Sequence, residues 1–205
     1  ASFGFSELTG EAPYEVYYNM TGEGARAVVP SRQNQAAAGE LQLGANGDFG
    51  YATTDAGGHF TLSHATSYIW FDPWSQEVDA RLVSVSLATA DRTIALCGTR
   101  TFDGGGFGAA TGGEYAVTLS FGAEGVALPA SGGDTRVFAA AVVYPVDCSA
   151  TEVHVTYTFA DGSVYTEPRP GRKLEAGATY RLTSEITKRA GGALEIEAGE
   201  ADGEP

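Results

Sequence analysis

The chain has 205 residues, with 12 Lys and Arg against 26 Asp and Glu, giving a formal net charge of −14. Such an acidic excess excludes a surface that neutralises a run of nucleic-acid phosphates, and it disfavours adsorption to an anionic membrane. An apolar content of 43% is ordinary for a globular protein, and no apolar run reaches the ~20 residues of a membrane-spanning helix.

The opening "ASFGFSELTG" has neither a basic n-region nor an apolar h-region, so the chain either lacks an export signal or is a processed or trimmed form. "PYEVYYNM" and "VVPSRQ" read as strands, "RQNQAAAGEL" as a single turn or loop, and "LGANGDFGYATTDAGG" as a linking segment. These boundaries predict a short or truncated first domain over residues 1–57, a complete β-sandwich domain over 58–190 and an acidic tail over 191–205. In "HFTLSHATSYIWFDPW", uninterrupted alternation places Phe60, Leu62, His64, Tyr68 and Trp70 on one face. That predicts a buried, neutral, structural His64.

Further along, Val83, Val85 and Leu87 alternate with serines, and Tyr115, Val117, Leu119 and Phe121 repeat the pattern. "RVFAAAVVYPV" is apolar on both faces and reads as a central strand ended by Pro145. Val153, Val155, Tyr157 and Phe159 alternate into Asp161-Gly162, a hairpin turn signal, and Tyr180, Leu182 and Ile186 form a closing strand. Gly- and Pro-rich breaks separate these runs, and no apolar stripe holds a 3.6 period over three turns. The fold class is therefore all-β, an antiparallel β-sandwich.

The chemistry-bearing residues are sparse. Three histidines with no HExxH and no acidic ligand at matching spacing predict no metal site, and nothing in the chain implies a cofactor. GxSxG and SxxK are absent, and neither cysteine has a nearby base to lower its pKa, so no enzyme is expected. Cys97 and Cys148 either close one disulfide or remain buried thiols. Trp74 is a weak candidate for stacking on a sugar.

In order and spacing, "HFTLSHATSYIWFD", the Pro145–Asp147 step before a hairpin with a DG turn, and the closing "LEAGATYRL" resemble the fimbrillin-like proteins of Bacteroidales. "PYEVYYNM", "VVPSRQNQAAAGEL" and "YATT" extend the resemblance upstream, so that it covers most of residues 12–187. It implies two transthyretin-like (Ig-like, Greek-key) sandwich domains on an exported, lipoprotein-type subunit of a pilus. Such a subunit would be anchored to the outer membrane or fimbrial, and involved in adhesion. Its partners would be other pilus subunits, joined by strand exchange, and a host or bacterial surface ligand.

Two departures bear on the role. The first domain is short, and the tail offers only Leu194, Ile196 and Ala198 as an alternating donor strand before glutamates take over. Both favour a tip or accessory subunit over a self-polymerising stalk. The alternative is a glycan-binding surface module of a polysaccharide-uptake system, with Trp74 as its platform.

Overall fold

The computed structural model describes residues 10–20, 26–76, 79, 81–132 and 137–187. Its elements are all strands: β1 (Glu15–Tyr18), β2 (Arg26–Val29), β3 (Arg32–Asn34), β4 (Gly50–Thr53), β5 (Ser63–His64), β6 (Ser67–Trp74) and β7 (Leu82–Thr89). β8 (Cys97–Thr101), β9 (Thr111–Glu114), β10 (Ala116–Ser120), β11 (Ala139–Val143), β12 (Glu152–Phe159), β13 (Val164–Pro170) and β14 (Thr179–Glu185) follow. The sandwich pairs a five-stranded sheet, β13-β12-β7-β10-β3, with a three-stranded sheet, β11-β6-β14. Two smaller sheets, β1-β4-β5 and β2-β8-β9, complete the structure. Most pairs are antiparallel, but β3 runs parallel to β10 and β14 parallel to β6.

Period-two alternation builds the core. Val85 and Leu87, Val117 and Leu119, and Val155 and Tyr157 point inward from the large sheet, while Thr156 and Ser86 stay on its outer face. Ile69, Phe71, Ala139, Ala141 and Val143 join them in one hydrophobic cluster. The Asp161-Gly162 hairpin forms between β12 and β13 as the sequence predicts: Gly162 takes φ +83°, and Phe159 N–H donates to Ser163 O at 2.9 Å.

Several sequence expectations are corrected. The register slips between Thr158 and Phe159, where Ser84 and Leu82 are successive partners, so the bulge at Val83 puts Leu82 in the core instead. Tyr115 falls between β9 and β10 and is exposed. The loop expected at "RQNQAAAGEL" begins as a strand, because Arg32–Asn34 pair with Thr118–Ser120. His64 is not buried: 52% of its side chain is exposed. The chain breaks between β5 and β6, which belong to different sheets, so strand parity does not carry from His64 to Tyr68.

The largest correction concerns β11. All five of its residues are buried, yet it is an edge strand of the three-stranded sheet and not a central one. A buried edge would leave backbone groups without partners, at a cost of about 1–3 kcal/mol each. Two side chains of β3 and its continuation fill that role. Gln33 Nε2 donates to Val142 O at 2.7 Å, and Val142 N–H donates back to Gln33 Oε1 at 2.9 Å. Gln35 Nε2 donates to Phe138 O at 2.9 Å, and Ala140 N–H donates to Gln35 Oε1 at 3.2 Å. Asn46 does the same on the outer edge of β3, accepting from Asn34 N–H at 3.0 Å and donating to Asn34 O at 2.9 Å. Carboxamides thus stand in for the missing strand pairing.

On the other side of the sandwich, β13 and β14 are also bridged by side chains. Arg169 Nη2 donates to Thr183 O at 2.9 Å, and Ser184 Oγ donates to Glu167. The junction expected near Gly57 is a turn of the β4–β5 connection, closed by Gly58 N–H to Asp55 O at 3.1 Å. Strands before and after it share ladders: β2 with β8, β3 with β10, and β4 with β5.

Replacing Gln33 by Leu keeps volume but orphans the Val142 N–H and C=O. Urea denaturation of Gln33→Leu should show a loss of about 1–3 kcal/mol for each orphaned group. Gln42→Leu, at an exposed position, should stay within about 0.5 kcal/mol of the parent. Equal midpoints for the two variants would contradict the clamp.

Candidate functional site

Three places gather polar chemistry around the residues singled out in the sequence. The first surrounds His64. Asp48, with a carboxylate only 6% exposed, accepts from Tyr68 OH at 2.6 Å and Thr66 Oγ1 at 2.9 Å, while His64 Nδ1 lies 3.1 Å away. The His64 ring meets Tyr68 edge-on, at 5.7 Å between centroids. Burial, then the bond to Asp48, pushes the Tyr68 hydroxyl well above its ordinary pKa. Three groups converge on one buried carboxylate. The arrangement ties the β4–β5 region to β6, with His64 as its solvent-facing member. Asp48 and Thr66 escaped the sequence reading because they lie 18 residues apart and match no motif.

The second place is a cleft of about 310 Å³ at the end of β6. Trp74, half-buried, lies in its wall with Leu128, Pro129 and Phe138. Asp72 and Arg181 form an ion pair there, and Asp72 Oδ1 also accepts from Phe138 N–H at 3.0 Å. Gly132 packs on the indole: a Cβ at that position would come within 2.5 Å of Trp74 Nε1. The cleft combines an aromatic edge with a charged pair, which suits a polar ligand with apolar faces. Trp70 points elsewhere and packs against the core cluster.

The cysteines are the third. Cys97 and Cys148 are free thiols and both are buried. Burial pushes the Cys97 thiol up to about 12, with the charge of Glu114 adding to it, and the Cys148 thiol up to about 11. Neither is poised as a nucleophile. Among the described residues no three His, Cys, Asp or Glu side chains converge to hold a metal ion. Leu194, Ile196 and Ala198, the candidate donor strand, lie outside the described residues.

The "PYEVYYNM" segment supplies β1. β1 pairs only with β4 among the described residues, leaving its outer side unpaired there. Its Tyr17 turns inward to a ring cluster with Phe49, Tyr51 and Phe102 at 5.3–6.5 Å, while Tyr18 is 42% exposed.

Comparison with known proteins gives fold and no more. No family model matches the chain, and no curated protein matches it. Among solved structures, a candidate cell adhesion protein from Bacteroides ovatus is similar at 19% identity and a TM-score of 0.55, over 90% of this chain and 69% of that one. A second candidate cell adhesion protein, from Bacteroides uniformis, is similar at 15% identity and a TM-score of 0.54, over 85% of this chain and 67% of that one. The chain shares their all-β architecture.

Two measurements check these assignments. Native protein at pH 8 should leave both thiols unmodified by a thiol reagent over hours and expose two on denaturation; rapid labelling of either would contradict their burial. Tyr68→Phe should cost about 1.5–3 kcal/mol by removing a donor to a buried charge, while His64→Ala should cost less than half as much. The reverse order in chemical denaturation would make His64 the structural member.

Proposed function

We propose that the protein is a non-enzymatic cell-surface adhesion subunit of fimbrillin-like kind, a tip or accessory member of a pilus. The observation that carries this reading is the likeness of fold, across 90% of the chain, to a candidate cell adhesion protein from Bacteroides ovatus. The residues agree with it in kind. The polar clusters tie elements of the fold together, and both thiols are held protonated. The subunit would be exported and anchored at the outer membrane or built into a fimbria. Among the described residues no helix is long and apolar enough to cross a membrane.

Assembly by strand exchange is part of the proposal. Carboxamides seal the β3–β11 side and Glu167, Arg169 and Ser184 bridge the β13–β14 side, so the acceptor edge we assign is β1. The tail with Leu194, Ile196 and Ala198 offers few apolar contacts as a donor. Each contributes no more than about 1.5–3 kcal/mol when buried, against about 1–2 kcal/mol per ordered backbone residue. The chain alone is therefore a monomer and joins a different subunit. The cleft at Trp74 favours a second reading, a glycan-binding surface module, because its aromatic wall meets the Asp72–Arg181 pair. Polysaccharide affinity lost in Trp74→Ala would select it.

Immunogold labelling of cells that produce the protein tests the main reading. Label on surface filaments or the outer face of the envelope, with reduced adherence on gene deletion, is expected; label confined to the cell interior would overturn it. Light scattering of the purified chain should give one subunit mass. SDS-resistant ladders that vanish when residues 192–205 are removed would instead make the tail a competent donor.

A further inference from the structure

Among the described residues two arginines are half-buried, Arg169 and Arg100. Arg169 lies 2.9 Å from Glu167. Among the described residues no carboxylate lies within ion-pair distance of Arg100, in a chain where acids outnumber bases 26 to 12. Its guanidinium sits 4.6 Å over the Tyr144 ring, Nη2 donates to Ala95 O at 3.0 Å, and among the described residues the Nε–H has no acceptor. Desolvation lowers the Arg100 pKa, opposed only by the neighbouring Tyr144 hydroxyl and Cys97 thiol and by no carboxylate. A cation held this way is under-satisfied, since buried charges are ordinarily paired.

Its surroundings are fixed in place. Tyr144 OH donates to Ala27 O at 2.9 Å and Gly98 O at 3.0 Å, so the ring beneath Arg100 cannot swing. Arg100 itself lies on β8, which pairs with β2 on one side and β9 on the other. The guanidinium borders an open pocket of about 470 Å³. Its wall is closely packed at Gly113, where a Cβ would come within 2.7 Å of both the Ala95 and Ala110 methyl groups. Tyr115, 40% exposed, lies in the same wall, with the side chains of Thr93 and Asp147. Asp147 already accepts from Ser149 N–H at 2.9 Å and is offset by Lys173.

We propose that this pocket binds a carboxylate-bearing sugar, with Arg100 taking the carboxylate, Tyr115 covering the ring and Thr93 and Asp147 meeting its hydroxyls. The proposal rests on the surface-adhesion reading and gives it a ligand class. A guanidinium fork matches a carboxylate, and an exposed tyrosine offers the apolar face that a pyranose stacks on. The volume falls in the range of small-molecule sites, about 300–1,000 Å³. The net charge of −14 repels an anion only at range. At physiological salt that repulsion is screened beyond about 8 Å, whereas the contact with Arg100 is direct.

The test is a nitrogen-edited NMR titration of the whole chain with methyl glucuronide, N-acetylneuraminic acid, methyl glucoside and acetate. Methyl glucuronide or N-acetylneuraminic acid should shift amides of residues 93–100 and 109–115, and whichever binds tighter identifies the sugar class. Methyl glucoside should bind at least about tenfold more weakly, and acetate should shift the same amides with lower affinity. Arg100→Lys, its fold confirmed by an unchanged amide spectrum elsewhere, should lose at least about tenfold in affinity for the acidic sugar. Tyr115→Ala, at an exposed position, should weaken the acidic sugar and leave acetate unaffected.

Equal binding of glucoside and glucuronide, shifts confined to the Trp74 cleft, or no shift with any probe would each overturn the proposal. None of these outcomes touches the surface-labelling result, so the adhesion reading stands or falls separately.

Discussion

Gln33 and Gln35 hold the sandwich shut. Each presents a carboxamide, with an N–H donor and a C=O acceptor side by side, to a strand edge that expects that pair from a neighbouring peptide. β11 is buried along its whole length, so water cannot satisfy its outer edge, and an apolar neighbour would leave it orphaned. The two glutamines must therefore stay in register with Val142 and Ala140. That register requires β3 to run parallel to β10, with alternate side chains pointing at β11. Asn46 then closes the outer side of β3 with the same chemistry. Three carboxamides on one short stretch thus join the large sheet, the small sheet and the N-terminal segment.

This closure has a consequence for what the molecule can dock. A sandwich with an open side accepts a strand there, but here both long sides are occupied by side chains that already bond across the gap. What stays unpaired among the described strands lies at the N-terminal sheets, with β1 and its exposed Tyr18 foremost. The carboxylate of Asp48 fastens that region to β6 through Thr66 and Tyr68. Docking at β1 would thus load a part of the molecule that is already tied to the core.

Strands whose neighbours are close in sequence were legible from the residues. Val153 to Phe159, the Asp161-Gly162 turn and the strand that follows form one hairpin, so local alternation and turn chemistry decide them together. Long-range context defeated the rest. "RVFAAAVVYPV" is apolar on both faces because it is covered on both faces, but whether it is central or an edge depends on partners about a hundred residues upstream. His64 and Tyr68 look equivalent by parity and are separated by a change of sheet that no propensity announces. The motif "VVPSRQNQAAAGEL" did draw notice through family resemblance, yet the role of its glutamines shows only when β11 lies opposite. Arg100 carries no motif at all; that no carboxylate among the described residues pairs with it shows only in the folded chain.

Closure of the β11 edge depends on the glutamine side chains, and their own protons report on them. Exchange of the Gln33 and Gln35 Nε2 protons into heavy water, followed by NMR on the intact chain, tests it most directly. The clamp predicts that both pairs persist as long as the backbone amides of β7, opening only with the global transition. Exchange as fast as that of the exposed Gln42 side chain would show that the carboxamides are free, and that something else closes the edge of β11.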